Sequence, residues 1–201
     1  DSPSNRILVT GPSPGVGKSF VAANLAVTIA QGGQRVLLID TDLRKGRLHK
    51  IFALDKSGLT EILGQKIPPA EAVQPVREVE GLSVITRGDT PPNPSELLMT
   101  PSLNELLEWA SENYETVIVD SPPVLAVTDA VIVGQLCGIA LMVARFSESA
   151  HKEIMISANR LRQNGVNLRG SILNAVEKRA SSYYGYGGYY AYDYRKSGKE
   201  D

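Results

Sequence analysis

The sequence predicts an α/β domain built on a doubly wound, mainly parallel sheet, and three observations carry that prediction. Apolar, β-branched runs alternate with helix-like segments along most of the chain. Several runs are apolar throughout instead of every second residue, as expected for strands covered on both faces. A glycine-rich loop, Gly11-Pro-Ser-Pro-Gly-Val-Gly-Lys-Ser19, separates the first run from an Ala-rich segment. In such sheets, ligands bind at the carboxyl ends of the strands.

Taken in order, Ile7–Thr10 reads as the first strand and Lys18–Gln31 as the helix after the loop, stopped by Gly32-Gly33. Strand Arg35–Asp40, a short helix at Leu59–Leu63 and strand Leu82–Thr86 follow. A proline-rich connection, Gly88 to Leu98, ends in a helical start that Asn93 or Ser95 can cap. Helix Pro101–Asn113 leads to strand Thr116–Asp120, and helix Asp129–Gln135, with Asp129 as its N-cap, leads to strand Ile139–Ala144. The last pair is helix Ser149–Asn164, stopped by Asn164-Gly165, and strand Leu168–Leu173.

The 201 residues suit one domain with a proper core, here 1–179, followed by a tail over 180–201. Lys and Arg number 21 against 22 Asp and Glu, so no global basic excess points to nucleic acid or an anionic membrane. Cys137 stands alone in an apolar stretch, which excludes an intrachain disulfide and fits a buried thiol in a reducing compartment. His49 and His151 have no second ligand at metal-binding spacing. No run of 18 apolar residues is present, so no segment of this sequence is expected to span a membrane as a helix. The sequence opens on Asp1-Ser-Pro-Ser instead of Met, so it reads as a piece of a longer protein.

The glycine-rich loop is the centre of the functional reading. Amides of such a loop and of the helix behind it converge on one concavity, and the helix dipole adds positive potential there. Lys18 is placed to reach the β- and γ-phosphates of a nucleoside triphosphate, and the Ser19 hydroxyl to ligate Mg²⁺. Pro12 stands where the strict pattern has glycine, so the loop must begin differently, while Gly15-Val-Gly-Lys-Ser19 is intact. Two more strands end in acid: Asp40-Thr-Asp42 after the second and Asp120 after Val117-Ile-Val119. Asp120 reads as the Walker-B-type carboxylate. Asp40 and Asp42, two apart, share a side of an extended chain, one supporting the metal and the other taking a proton or orienting water. Asn174, after the last strand, is a candidate contact to the base, and the basic run Arg44, Lys45, Arg47 and Lys50 is a solvated face or a contact to phosphate or an acidic partner.

The end of the chain has a different character. Tyr183, Tyr184, Tyr186, Tyr189, Tyr190, Tyr192 and Tyr194 are seven of the eight tyrosines, set among Gly and Ser. That composition cannot build a core and predicts a flexible extension. It can serve as a stacking platform for single strands, an adhesive or disordered tail, or a multi-site phosphate acceptor for the neighbouring nucleotide site.

With these motifs in view, the chain resembles the bacterial tyrosine kinases of capsular and exopolysaccharide synthesis over nearly its whole length. The resemblance rests on Ser13-Pro-Gly-Val-Gly-Lys-Ser19, Leu37-Leu-Ile-Asp-Thr-Asp-Leu-Arg44, Val117-Ile-Val-Asp-Ser-Pro-Pro123, the Gly88–Leu98 connection and the tyrosine cluster. It implies the P-loop ATPase fold of the partitioning-ATPase type and an ATP- and Mg²⁺-dependent kinase that modifies its own tail in trans. The implied nucleotide contacts are Ser13, Pro14, Gly15, Val16, Gly17, Lys18, Ser19, Phe20 and Asn174. The metal shell falls to Ser19, Asp120 and Asp42, and the tyrosine proton to Asp40, with exchange between Asp40 and Asp42 left open. The seven clustered tyrosines are the implied acceptors. Implied partners are neighbouring copies in a ring, a transmembrane activator on the same or a separate chain, the polysaccharide export machinery and a tyrosine phosphatase. Nucleic acid is not among them. The implied location is the cytoplasmic face of the inner membrane. Two departures stand out: the family's Glu-x-x-Arg-x-x-Arg helix does not occur in this sequence, and Ser13 replaces the extra lysine of partitioning ATPases.

Overall fold

A computed structural model describes residues 4–177; the tyrosine cluster and the expected boundary at 179 lie outside the described residues. The described residues form seven strands: β1 Arg6–Thr10, β2 Val36–Asp40, β3 Gln74–Pro75, β4 Leu82–Ile85, β5 Thr116–Asp120, β6 Ile139–Arg145 and β7 Leu168–Asn174. The helices are α1 Lys18–Gln31, α2 Leu48–Ile51, α3 Leu59–Leu63, α4 Pro69–Ala72, α5 Pro94–Leu98, α6 Pro101–Asn113, α7 Asp129–Gly134 and α8 His151–Gln163. The six expected strands are all present, as are the five expected helices. The two-residue β3 and the short α2 and α4 were not anticipated.

The strands form one sheet in the order β3-β4-β2-β5-β1-β6-β7, parallel except for the β3–β4 pair. Alternation across the strands builds two cores. Leu8, Leu37, Ile39, Val117 and Val119 face the side covered by α3, α6, α7 and α8. Val9, Val36, Leu38 and Ile118 face α1, whose Ala22, Ala23, Ala26 and Ala30 let the helix lie close to the sheet. Both faces of the central strands are thus dry, which is why their sequences carry no polar alternation.

The punctuation acts as expected. Gly33 and Gly165, just past α1 and α8, both adopt positive φ. Cys137 is a half-buried free thiol, and burial pushes it up to about 12, so it is not a reactive nucleophile. Asp129 departs from its expected role: Thr128 is the N-cap of α7, and Asp129 lies inside the first turn with its side chain engaged elsewhere.

Because β1, β2, β5, β6 and β7 run parallel, their carboxyl ends share one edge of the sheet. The loops carrying Gly11–Ser19, Asp40–Arg47 and Asp120–Pro123, together with Arg145 and Asn174, therefore meet there.

Candidate active site

The phosphate loop is held open by its glycines and clamped by its neighbours. Gly15 and Gly17 have φ of +82° and +94°, conformations that turn successive amides toward one concavity. Gly17 is the N-cap of α1 and no side chain caps that helix, so its first amides remain available to an anion. The Asn174 amide donates to the Val16 carbonyl at 3.0 Å, and Arg145 donates to the Gly15 carbonyl at 3.3 Å. Below Pro12, which offers no amide, the loop's carbonyls take over: Leu125 N–H donates to Pro12 and Val124 N–H to Gly11.

Asn174 is thus a brace for the loop, its oxygen in turn accepting the Ala175 N–H. Arg145 was not singled out from sequence, although its place at the end of β6 was a usable signal.

The loop shares a cavity of about 350 Å³ with Asp42, Arg44, Lys45 and Arg47 on one wall and Pro122, Pro123, Ala126 and Val127 on another. Of the residues singled out as nucleotide contacts, Pro14, Gly15, Gly17, Lys18, Ser19 and Phe20 line it, whereas Ser13 and Val16 belong to the loop but not to the cavity wall. Phe20 is 62% exposed at the rim, where an aromatic ring can cover a bound ligand.

The two acids of Asp40-Thr-Asp42 do not project together, because the chain turns as soon as β2 ends. Asp40 is fully buried and points inward: its carboxylate accepts the Asp42 N–H at 3.2 Å and the Leu48 N–H at 3.1 Å. Asp42 reaches the cavity and accepts the N–H groups of Arg44 and Lys45. Arg87 donates to the Leu43 and Arg44 carbonyls, which fixes the same loop from below.

Asp120 is fully buried and neither carboxylate oxygen has a hydrogen-bond partner. Burial raises its carboxyl to about 7; the neighbouring Ser19 hydroxyl and the Lys18 ammonium pull it back, and Asp42 adds to the rise. Burial also lifts Asp40 well above the usual carboxylate range, with Asp120 reinforcing it. Lys18, 8% exposed, is lowered by desolvation despite Asp120 and Asp42.

A buried carboxylate with no partner, Asp120, beside the buried Lys18 ammonium describes a site built for a charged occupant. Among the described residues no group of three or more His, Cys, Asp or Glu could hold a metal unaided. The donor set is one orphaned carboxylate and a hydroxyl, so the remaining ligands must come from phosphate oxygens and water, which suits Mg²⁺ delivered with a nucleotide.

A second cluster ties this site to the proline-rich connection. Arg44 donates to Asp129 at 3.3 Å and to Ser95 at 2.9 Å, while the Ser95 hydroxyl donates to Asp129 at 2.6 Å. Asp129 is fully buried, so this ion pair latches the loop after β2 to α5 and α7.

The family described as the CobQ/CobB/MinD/ParA nucleotide binding domain matches residues 7–186. Among solved structures, the kinase domain of Escherichia coli tyrosine kinase ETK is 48% identical and superposes with a TM-score of 0.87, covering 90% of this chain and 71% of that one. The chain belongs to the bacterial tyrosine kinases.

As a kinase domain it is also 49% identical, over 92% of its length, to the putative tyrosine-protein kinase AmsA of Erwinia amylovora. It is 46% identical, over 98% of its length, to the tyrosine-protein kinase wzc of Salmonella typhimurium. It spans only 26% and 27% of those curated relatives. The cell division ATPase MinD of Pyrococcus furiosus, 22% identical with a TM-score of 0.72, shares the fold. The P-loop ATPase fold of the partitioning type read from the sequence is therefore the fold of this kinase domain.

Proposed function

We propose that this chain transfers the γ-phosphoryl group of ATP to tyrosine, with its own C-terminal cluster in a neighbouring copy as the acceptor. The observation that carries the reading is a phosphate cradle beside a cavity-facing carboxylate, Asp42, in a chain ending in seven clustered tyrosines. The likeness to named tyrosine kinases supports it.

In this reading the amides of the loop and of the α1 N-terminus bind the phosphates, and Lys18 neutralises charge on the β- and γ-groups. Ser19 and Asp120 would hold a magnesium ion, with Asp42 beside them, and the ion would offset the negative charge of the phosphates. The bond from the γ-phosphorus to the β,γ-bridging oxygen breaks as one forms to the phenolic oxygen. The phenolic proton passes to Asp42, and ADP departs. Asp42 takes the acceptor role first expected of Asp40, because Asp42 faces the cavity whereas Asp40 spends both oxygens on the backbone. Asp40 then sets the course of the loop that carries Asp42. Asn174 supports nucleotide binding through the loop.

The wider reading places this domain at the inner face of the bacterial inner membrane, in rings whose assembly changes as the tails gain charge. A membrane-spanning activator, a tyrosine phosphatase and the polysaccharide export machinery are its partners, and control of polymer synthesis or export its role. A relative in Klebsiella pneumoniae, named as a putative tyrosine-protein kinase in the cps region, supports that setting. Among the described residues no helix is long and apolar enough to cross a membrane.

Intact-mass spectrometry after incubation with ATP and Mg²⁺, beside Lys18→Met, tests the central claim. A ladder of phosphate additions mapping to residues 183–194 in the wild type and missing from Lys18→Met is expected. Steady release of inorganic phosphate with no tyrosine labelled would overturn the kinase reading in favour of a nucleotide-switch ATPase.

A further inference from the structure

One wall of the cavity carries more positive charge than its own contacts use. From Arg44 to Lys56 the chain holds five cations, Arg44, Lys45, Arg47, Lys50 and Lys56, against Asp55 alone, in a protein whose net charge is −1. Arg44 is committed to Asp129 and Ser95. Lys45 and Arg47 are exposed, border the cavity, and have no ion-pair partner among the described residues.

Their backbone is not a loose loop. Asp42 accepts the Lys45 N–H at 2.8 Å, the Gly46 N–H donates to the Asp42 carbonyl at 2.7 Å, and Asp40 accepts the Leu48 N–H. The two side chains therefore leave a fixed platform beside the carboxylate that faces the reacting group.

The acceptor sequence supplies the matching chemistry. Between Tyr183 and Tyr194 the only charged residue is Asp193, so the unmodified segment offers this wall almost nothing. Tyr184 and Tyr186, Tyr190 and Tyr192, and Tyr192 and Tyr194 each lie two apart. In a peptide presented in extended form, residues two apart share a side at roughly 7 Å. A phosphate on one then stands beside the next acceptor, and each adds about −1.5 to −2 charge.

Resting on the kinase reading above, we propose that Lys45 and Arg47 form a subsite for a phosphotyrosine two positions from the tyrosine being modified. The first phosphate on a tail thereby speeds the next, and the cluster is filled in a self-reinforcing order instead of at random.

The test uses the full chain as enzyme and two peptides spanning residues 187–196. Tyr192 is the acceptor and the other tyrosines are replaced by Phe, except that position 190 is Phe in one peptide and phosphotyrosine in the other. The wild type should favour the phosphorylated peptide in kcat/KM by about tenfold at low salt, as expected for a dianion meeting two exposed cations, and by less as salt rises. Lys45→Gln with Arg47→Gln should bring that ratio close to one. A wild-type ratio of one overturns the subsite, as does a ratio that survives the double substitution. A raised KM for ATP with the ratio intact would assign the two cations to the nucleotide and overturn it too. A wild-type chain that labels neither peptide nor its own tail overturns the kinase reading itself.

Discussion

Gly46 offers a direct test of how the catalytic loop is set. A Cβ added there would lie 2.5 Å from Asp40 Oδ2 and 2.6 Å from its Cγ. An ordinary contact of roughly 3.4 Å needs the carboxylate or the loop to move by nearly 1 Å. The carboxylate cannot yield freely, since the Asp42 and Leu48 amides hold it at 3.2 and 3.1 Å. Overpacking of this kind costs about 1–3 kcal/mol, which for a domain of this size lowers Tm by about 2–12 °C. The loop that shifts carries Asp42, and a 1 Å error in a reacting group costs on the order of 100-fold in rate. Gly46→Ala should therefore lose phosphoryl transfer far beyond its loss of stability, read as phosphotyrosine formed per minute at a temperature where melting shows the variant folded. Asp40→Ala in the same chain removes the clashing group, so the pair should be less destabilising than the sum of the single changes. Wild-type transfer by Gly46→Ala, or a strictly additive pair, would refute the claim that Asp40 and Gly46 set the loop by contact.

Three further outcomes are expected. Asp120 titrates at about 7 in the folded chain and near its ordinary 3.8 when unfolded. In that interval the folded state holds the extra proton, so the nucleotide-free protein should lose stability as pH rises through it, and Asp120→Asn should flatten the decline; a drop in urea midpoint between pH 5 and 8 that matches the wild type would count against it. Asp129→Ala, which removes the buried acceptor of Ser95 and Arg44, should cost about 2–3 kcal/mol and lower kcat about tenfold while changing the Kd for ATP little, as measured by melting, steady-state kinetics and calorimetry; an unchanged kcat would remove the latch from the account. Asn174→Asp sets a carboxylate against the Val16 carbonyl and should weaken nucleotide binding by about tenfold; unaltered affinity in a fluorescent-nucleotide titration would deny the brace its function.

The strands and the phosphate loop were legible because burial on both faces leaves unbroken apolar runs, and because glycines at positive φ followed by Lys-Ser have few structural uses besides cradling phosphate. What sequence could not supply was direction. The two-residue rule put Asp40 and Asp42 on one side, but it holds only for extended chain, and β2 ends at Asp40. Asp129 looked like a cap because caps are local, whereas its partners Ser95 and Arg44 are 34 and 85 residues away. The strand β3 consists of Gln74 and Pro75, a pairing fixed by β4 and not by propensity. Arg145 was within reach of the strand-end rule and was passed over, since a lone arginine carries no motif.

The sheet order has a consequence for how the site comes into being. β1 pairs Arg6 with Val117 on one side and Ile7 with Ile139 on the other, and β7 joins only through β6. The walls of the pocket therefore meet across long stretches of chain, and parallel pairings of that span form slowly and late. The β1–α1 unit carries the phosphate loop alone, while Asp42, Asp120, Arg145 and Asn174 reach it from the ends of β2, β5, β6 and β7. During refolding, nucleotide affinity should arrive all at once, after the sheet has closed from β2 to β7, which makes a bound nucleotide a reporter of the finished fold and not of any step toward it.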